Sequence, residues 1–159
     1  MIGTYTPLAK FVDHYRKKGF DPYFHSVSFV GAEAFGTELS KYGINTSDKI
    51  IVTEVVPDPK TASADYLALS AKYFPGEAPT YAGLEGYMTA AILAEALNLA
   101  GPDLTRENFV RAVESMETRD VLGIPVSFSP DNHQAFKNVY LSHLRQGNFS
   151  EFSKDDGLP

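Results

Sequence analysis

Apolar side chains at Leu8, Phe11, Val12 and Tyr15 recur with the spacing of one helical face, and Gly19 follows a basic last turn of Arg16, Lys17 and Lys18. That pattern predicts a helix with Pro7 in its first turn, where a missing N–H is tolerated. Residues 1–6 read as the tail of a strand. Asp21-Pro22 then opens a short aromatic and β-branched run, Tyr23 to Val27, which predicts a strand. A second helix is expected over 31–42, closed by Gly43. Residues 49–56 have an unbroken apolar centre and are stopped by Pro57 and Pro59, as in a parallel strand covered on both faces. Strand, helix, strand, helix, strand at close intervals is the signature of crossover units on a parallel sheet.

Beyond residue 60 the period changes. Helices are predicted at 61–73, 81–100 and 105–116, the middle one apolar nearly all round and therefore buried. The last third returns to alternation, with strands at 125–128 and 138–144. A Gln146-Gly147-Asn148 turn leads into 149–152, and residues 153–159 read as a frayed tail.

Composition narrows the function. The 159 residues carry a formal net charge of −6, and the densest basic run, Arg16 to Lys18, sits where it complements a helix dipole. A nucleic-acid partner needs clustered Lys and Arg, and none is expected. Cysteine is absent, which removes disulfides, thiolate catalysis and zinc-ribbon sites. No stretch approaches the roughly 18 apolar residues of a membrane helix. Met1 is not followed by a signal sequence, so an exported protein would carry its signal upstream of this chain.

Catalytic and metal motifs are missing. His14, His25, His133 and His143 have no partner at helical ligand spacing, and no nucleophile elbow, phosphate loop or dinucleotide glycine triplet occurs. Asp131 with His133 is the one acid–base pair that suggests a small α/β hydrolase, although Ser-Pro-Asp-Asn is also ordinary turn chemistry. No cofactor or metal is expected, and the chain reads as a non-enzyme.

Five stretches together carry a resemblance. GTYTPLAKFVDHYRKKGF (3–20), FHSVSFVGAEAF (24–35) and IIVTEVVPDP (50–59) come first. They are followed by PTYAGLEGYMTAAILAEALNLAG (79–101) with LTRENFVRAVESM (104–116), and by GIPVSFSPDNHQAFKNVYLSHLRQGNF (123–149). In this order they resemble the later part of type I periplasmic solute-binding proteins, the branched-chain amino-acid transporter kind. The resemblance implies an incomplete Rossmann-like α/β fold with elements of two lobes. Residues 1–56 and 137–152 would belong to the second lobe, and 57–136 would supply first-lobe helices and interlobe crossings.

It also implies extracytoplasmic binding of a small organic solute, an amino acid or related carboxylate or amide, by lobe closure for uptake through an ABC-type permease. The same fold serves as the sensor ectodomain of signalling receptors. Buried helix faces would need a partner, either an amino-terminal half or a second copy of the chain.

Ligands of open α/β sheets bind beyond the carboxyl ends of the strands. This nominates Thr4 and Tyr5 after the first strand, Ser26 and Ser28 after the second, and Tyr81 as an aromatic wall. Tyr5 matches the family's cleft tyrosine. Ser28 falls close to where amino-acid binders place a carboxylate for the ligand's ammonium group. With serine there and no acid before Glu33, a neutral or anionic solute fits as well as an amino acid. Each position also has a plainer role: Tyr5 in the core, Ser26 and Ser28 in a turn or cap, Tyr81 in packing a helix start.

Overall fold

The first helix, α1 (Tyr5–Lys17), buries Leu8, Ala9 and Val12 and ends on a glycine-made stop. Gly19 takes φ of 83°, its N–H reaches the carbonyl of Arg16, and Phe20 N–H reaches that of Tyr15. These two bonds satisfy carbonyls that the helix leaves open, and the rings of Tyr15 and Phe20 close over them at 5.7 Å. The second helix, α2 (Ala32–Ser40), ends by the same device. Gly43 sits at φ 74°, Gly43 N–H bonds Ser40 O, Ile44 N–H bonds Leu39 O, and both Leu39 and Ile44 are buried.

Between and after them run β1 (Phe24–Val27) and β2 (Ser47–Glu54), paired in parallel. β2 then pairs antiparallel with β5 (Tyr140–Arg145), which turns back into β6 (Asn148–Glu151), giving the order β1-β2-β5-β6. The sheet is therefore mixed: β2, expected as a parallel strand covered on both faces, has one parallel and one antiparallel neighbour, and its buried residues alternate with partly exposed ones. The computed structural model describes residues 1–152. The expected tail at 153–159 lies outside the described residues.

The chain divides into two compact units. The first holds Met1–Thr61, Thr80–Ala82 and Val139 onward; the second holds Ala62–Pro79 and Gly83–Asn138. The second unit contains α3 (Ala64–Tyr73), most of α4 (Tyr81–Ala100), α5 (Arg106–Glu114) and a hairpin of β3 (Arg119–Val121) with β4 (Ile124–Val126). Ser63 and Thr105 cap α3 and α5 by accepting from Tyr66 N–H and Asn108 N–H at 3.3 and 3.1 Å.

Two expectations need correction. Residues 1–6 are not a strand: α1 already begins at Tyr5, because Thr4 takes the extended backbone of a helix N-cap and Pro7 fits the first turn. Nor is α4 buried all round. Leu84, Met88 and Ala96 are buried on one stripe, whereas Leu93, Leu97 and Leu99 are exposed. β3, three residues long and mostly polar, offered no strand pattern.

One close approach fixes the hairpin of β5 and β6 on α2. A Cβ built at Gly36 would lie 2.3 Å from the carbonyl oxygen of Gly147. Gly147 N–H in turn donates to Asn45 O at 2.7 Å, and Phe35 stacks on Phe149 with ring centroids 5.7 Å apart. The Gln146-Gly147 turn needs positive φ at both residues, 49° and 79°.

Gly36→Ala gains up to about 1 kcal/mol of helix propensity, but the clash is with backbone that cannot swing away. The net expectation is a loss of about 2 kcal/mol or more, a fall of about 4–8 °C in Tm by calorimetry. Conversely, Gln146→Asn puts a residue suited to positive φ at an exposed turn. It should raise stability by about 0.5 kcal/mol in urea unfolding.

Candidate functional site

At the carboxyl end of β1 the chain enters a short 3-10 helix, Ser28–Val30, and then Gly31 at φ 73°, which is the N-cap of α2. Gly31 N–H donates to Ser28 O at 2.9 Å, and Phe35 N–H closes the first turn of α2 on Gly31 O. The position a Cβ would take on Gly31 lies 4.0 Å from Cδ1 of Tyr5. Tyr5, the first residue of α1, and the Ser28–Gly31 turn thus share one end of the first unit.

Both helices start there, and neither N-cap supplies a side-chain hydrogen bond to its helix. First-turn amides of Tyr5 and Thr6, and of Ala32, Glu33 and Ala34, are therefore donors without a capping side chain. With the positive ends of two helix dipoles this corner favours an anion or a carbonyl oxygen. Tyr5 is 42% exposed and Ser28 half-buried, so both can meet a solute. Thr4 is exposed as well.

Ser26 is different. It lies on the inward face of β1 with Phe24, and its hydroxyl donates to the carbonyl of Met1 at 3.2 Å. The arrangement binds the first residues of the chain to the sheet edge. Tyr81 is only 5% exposed, and its backbone N–H donates to the Glu33 carboxylate at 2.7 Å. Its hydroxyl is buried without a hydrogen-bond partner. Burial, and then the negative charges of Asp58, Glu54, Glu151 and Glu33, push its pKa upward, so it stays a neutral phenol.

Two residues escaped the sequence reading. Glu33 is the acid in the first turn of α2, and its contact with Tyr81 spans 48 positions, which no local pattern reveals. Glu54 is buried and accepts from Ser142 Oγ at 3.2 Å. Its signal was available: Ile50, Val52 and Glu54 fall in phase on the buried face of β2.

The Asp131 and His133 pair lies in the second unit. His133 Nε2 is 3.0 Å from Glu114 Oε1, with the imidazole 62% exposed. Among the described residues no group of three His, Asp or Glu side chains could hold a metal.

A family model described as periplasmic binding protein matches residues 1–148. Among solved structures, a possible leucine/isoleucine/valine-binding protein from Rhodopirellula baltica aligns with TM-score 0.85 and 28% identity, over 99% of this chain and 43% of its own. The leucine-binding protein LivK of Thermotoga maritima aligns at 0.72 and 21%, covering 98% of this chain and 44% of its own. LivJ of Streptococcus pneumoniae, in complex with isoleucine, aligns at 0.70 and 19%, covering 95% and 43%. The last two likenesses are of fold. The chain spans less than half the length of each. Comparison with curated proteins gives no match.

The different surroundings of Ser26 and Thr4 separate them experimentally. Ser26→Ala should lower stability by about 1 kcal/mol through the lost bond to Met1. Thr4→Ala, whose hydroxyl makes no cap bond, should stay within about 0.5 kcal/mol of the parent in urea unfolding.

Proposed function

The chain belongs to the periplasmic binding protein family, and from that premise we propose that it is part of an extracytoplasmic binder of a small organic solute, an amino acid or a related carboxylate or amide. The solute would lie beyond the carboxyl end of β1. Its oxygen atoms would take the free amides at the starts of α1 and α2 and the hydroxyls of Thr4 and Ser28, and Tyr5 would cover its apolar part. Nothing covalent is required. Enclosure by a second lobe would remove water and strengthen each of these hydrogen bonds, and an ABC-type permease would receive the solute.

The observation that carries this reading is the juxtaposition of Tyr5 with the Ser28–Gly31 turn, where two helix starts face one place. A closed interior or a separation across the molecule would have removed the site. In a longer chain of this family, the exposed leucines of α4 are natural positions for cover by the remaining half of the fold.

A thermal-shift panel of amino acids, organic acids and amides tests the reading. A true ligand at one hundred times its Kd should stabilise the chain by about 2.7 kcal/mol. Tyr5→Ala, a change at a half-exposed ring, should weaken that ligand at least tenfold in calorimetric titration and alter the unliganded Tm little. A panel without any stabilising solute, or equal affinity in Tyr5→Ala, counts against it.

A further inference from the structure

The turn between β3 and β4 holds a residue that backbone preference disfavours. Val121 pairs with Ile124, so Leu122 and Gly123 make a two-residue hairpin turn, with positive φ of 56° and 80°. Asparagine before glycine suits such a turn, and leucine takes it only under strain. The turn between β5 and β6 also has positive φ at both residues, but there the first position is an exposed Gln146. Backbone strain persists mainly where a side chain is needed at one particular place.

That place is a cleft of about 410 Å³ within the second unit, which the half-buried Leu122 lines. Tyr87, Ala91, Ile92 and Glu95 line it from α4, as one helical face at i, i+4, i+5 and i+8. Met116 and Val126, both buried, complete the apolar lining beside Leu122. The exposed Leu93 and Leu97 stand two residues beyond Ala91 and Glu95, about 200° round the helix. The cleft is therefore not the surface those leucines present.

The charged groups of the cleft are already engaged. Arg119 Nη2 meets Glu95 Oε1 at 3.0 Å, tying hairpin to helix, and Asp120 Oδ1 accepts from Gly123 N–H at 2.8 Å. A carboxylate on the solute would meet two acids, and an ammonium group would have to part Arg119 from Glu95. A hydroxyl both donates and accepts, so it can bond to the pair without breaking it. The volume lies in the range of small-ligand sites.

We propose that this cleft is a second binding site, for an uncharged aliphatic alcohol of about six to eight carbons, with Leu122 held in its strained turn as an apolar wall. The Glu95 and Arg119 pair receives the hydroxyl, and Ile92 and Met116 meet the carbon chain. The site lies wholly in the second unit and stands independently of the solute reading of the first.

The test uses the whole chain with 1-hexanol, hexanoate and hexylamine, in ligand-observed NMR titration and thermal unfolding. 1-Hexanol should bind, and the two charged analogues should bind at least tenfold more weakly. Leu122→Asn should weaken 1-hexanol at least fivefold and leave the unliganded Tm unchanged or raised, since asparagine relieves the turn. Ala91→Phe, at an exposed helix position facing the cleft, should abolish 1-hexanol binding. Tyr5→Ala should leave it as it was.

Absence of 1-hexanol binding overturns the proposal, as does equal binding of hexanoate or hexylamine. A lower Tm in Leu122→Asn makes the leucine ordinary packing and overturns it as well. Binding that withstands both Leu122→Asn and Ala91→Phe, or that is lost in Tyr5→Ala, puts the alcohol elsewhere. A dimer in sedimentation that Leu122→Asn dissociates gives the cleft to a second copy of the chain, and the alcohol site falls.

Discussion

The contact between Gly36 and Gly147 is the constraint from which the geometry of the first unit follows. Helix backbone and turn backbone meet with no side chain between them. That approach lets Phe35 stack on Phe149 and brings Gly147 N–H to Asn45 O, so the hairpin is held at two points on the helix and one on the loop that follows it. α2 is only nine residues long. Fixing its middle therefore also fixes its start, where Gly31 turns and Glu33 reaches Tyr81. A site at one end of a short helix inherits its precision from packing at the middle, since a rigid support holds polar groups better than a loop does.

Much of the architecture was legible because its signals are local. Gly19 and Gly43 each stand where a helix must reverse hand to satisfy its last carbonyls, and both helices end there. The apolar run at 49–56 located β2 to within two residues. The first six residues misled because Ile2, Thr4 and Tyr5 favour extended backbone one by one, while Pro7 and the face built on Leu8 and Val12 favour a helix together. α4 misled for another reason. Apolar composition leads to burial only where a surface is present to receive it, and Leu93, Leu97 and Leu99 stay 40–48% exposed.

The candidate site divides along the same line. Strand alternation alone assigns Ser26 to the inward face beside Phe24, since the two are two residues apart. Tyr5 was expected beside the Ser28 turn as the end of a strand; no strand forms there, and its ring comes near Gly31 from the first turn of α1 instead. Glu33 with Tyr81, and Asp58 with Glu151, are contacts over 48 and 93 positions. Nothing in the immediate neighbourhood of any of these residues announces its partner. They are products of the fold, not of the segments.

The mixed sheet has a topological corollary. β2 and β5 are neighbours, yet Glu54 and the Ser142 that bonds it stand 88 residues apart, with the second unit threaded between them. The entropy of closing such a loop rises only with the logarithm of its length. Extending the excursion by half again would weaken the sheet by about 0.4 kcal/mol. The second unit is therefore a segment in which insertions and deletions can accumulate through descent while the first unit keeps its shape.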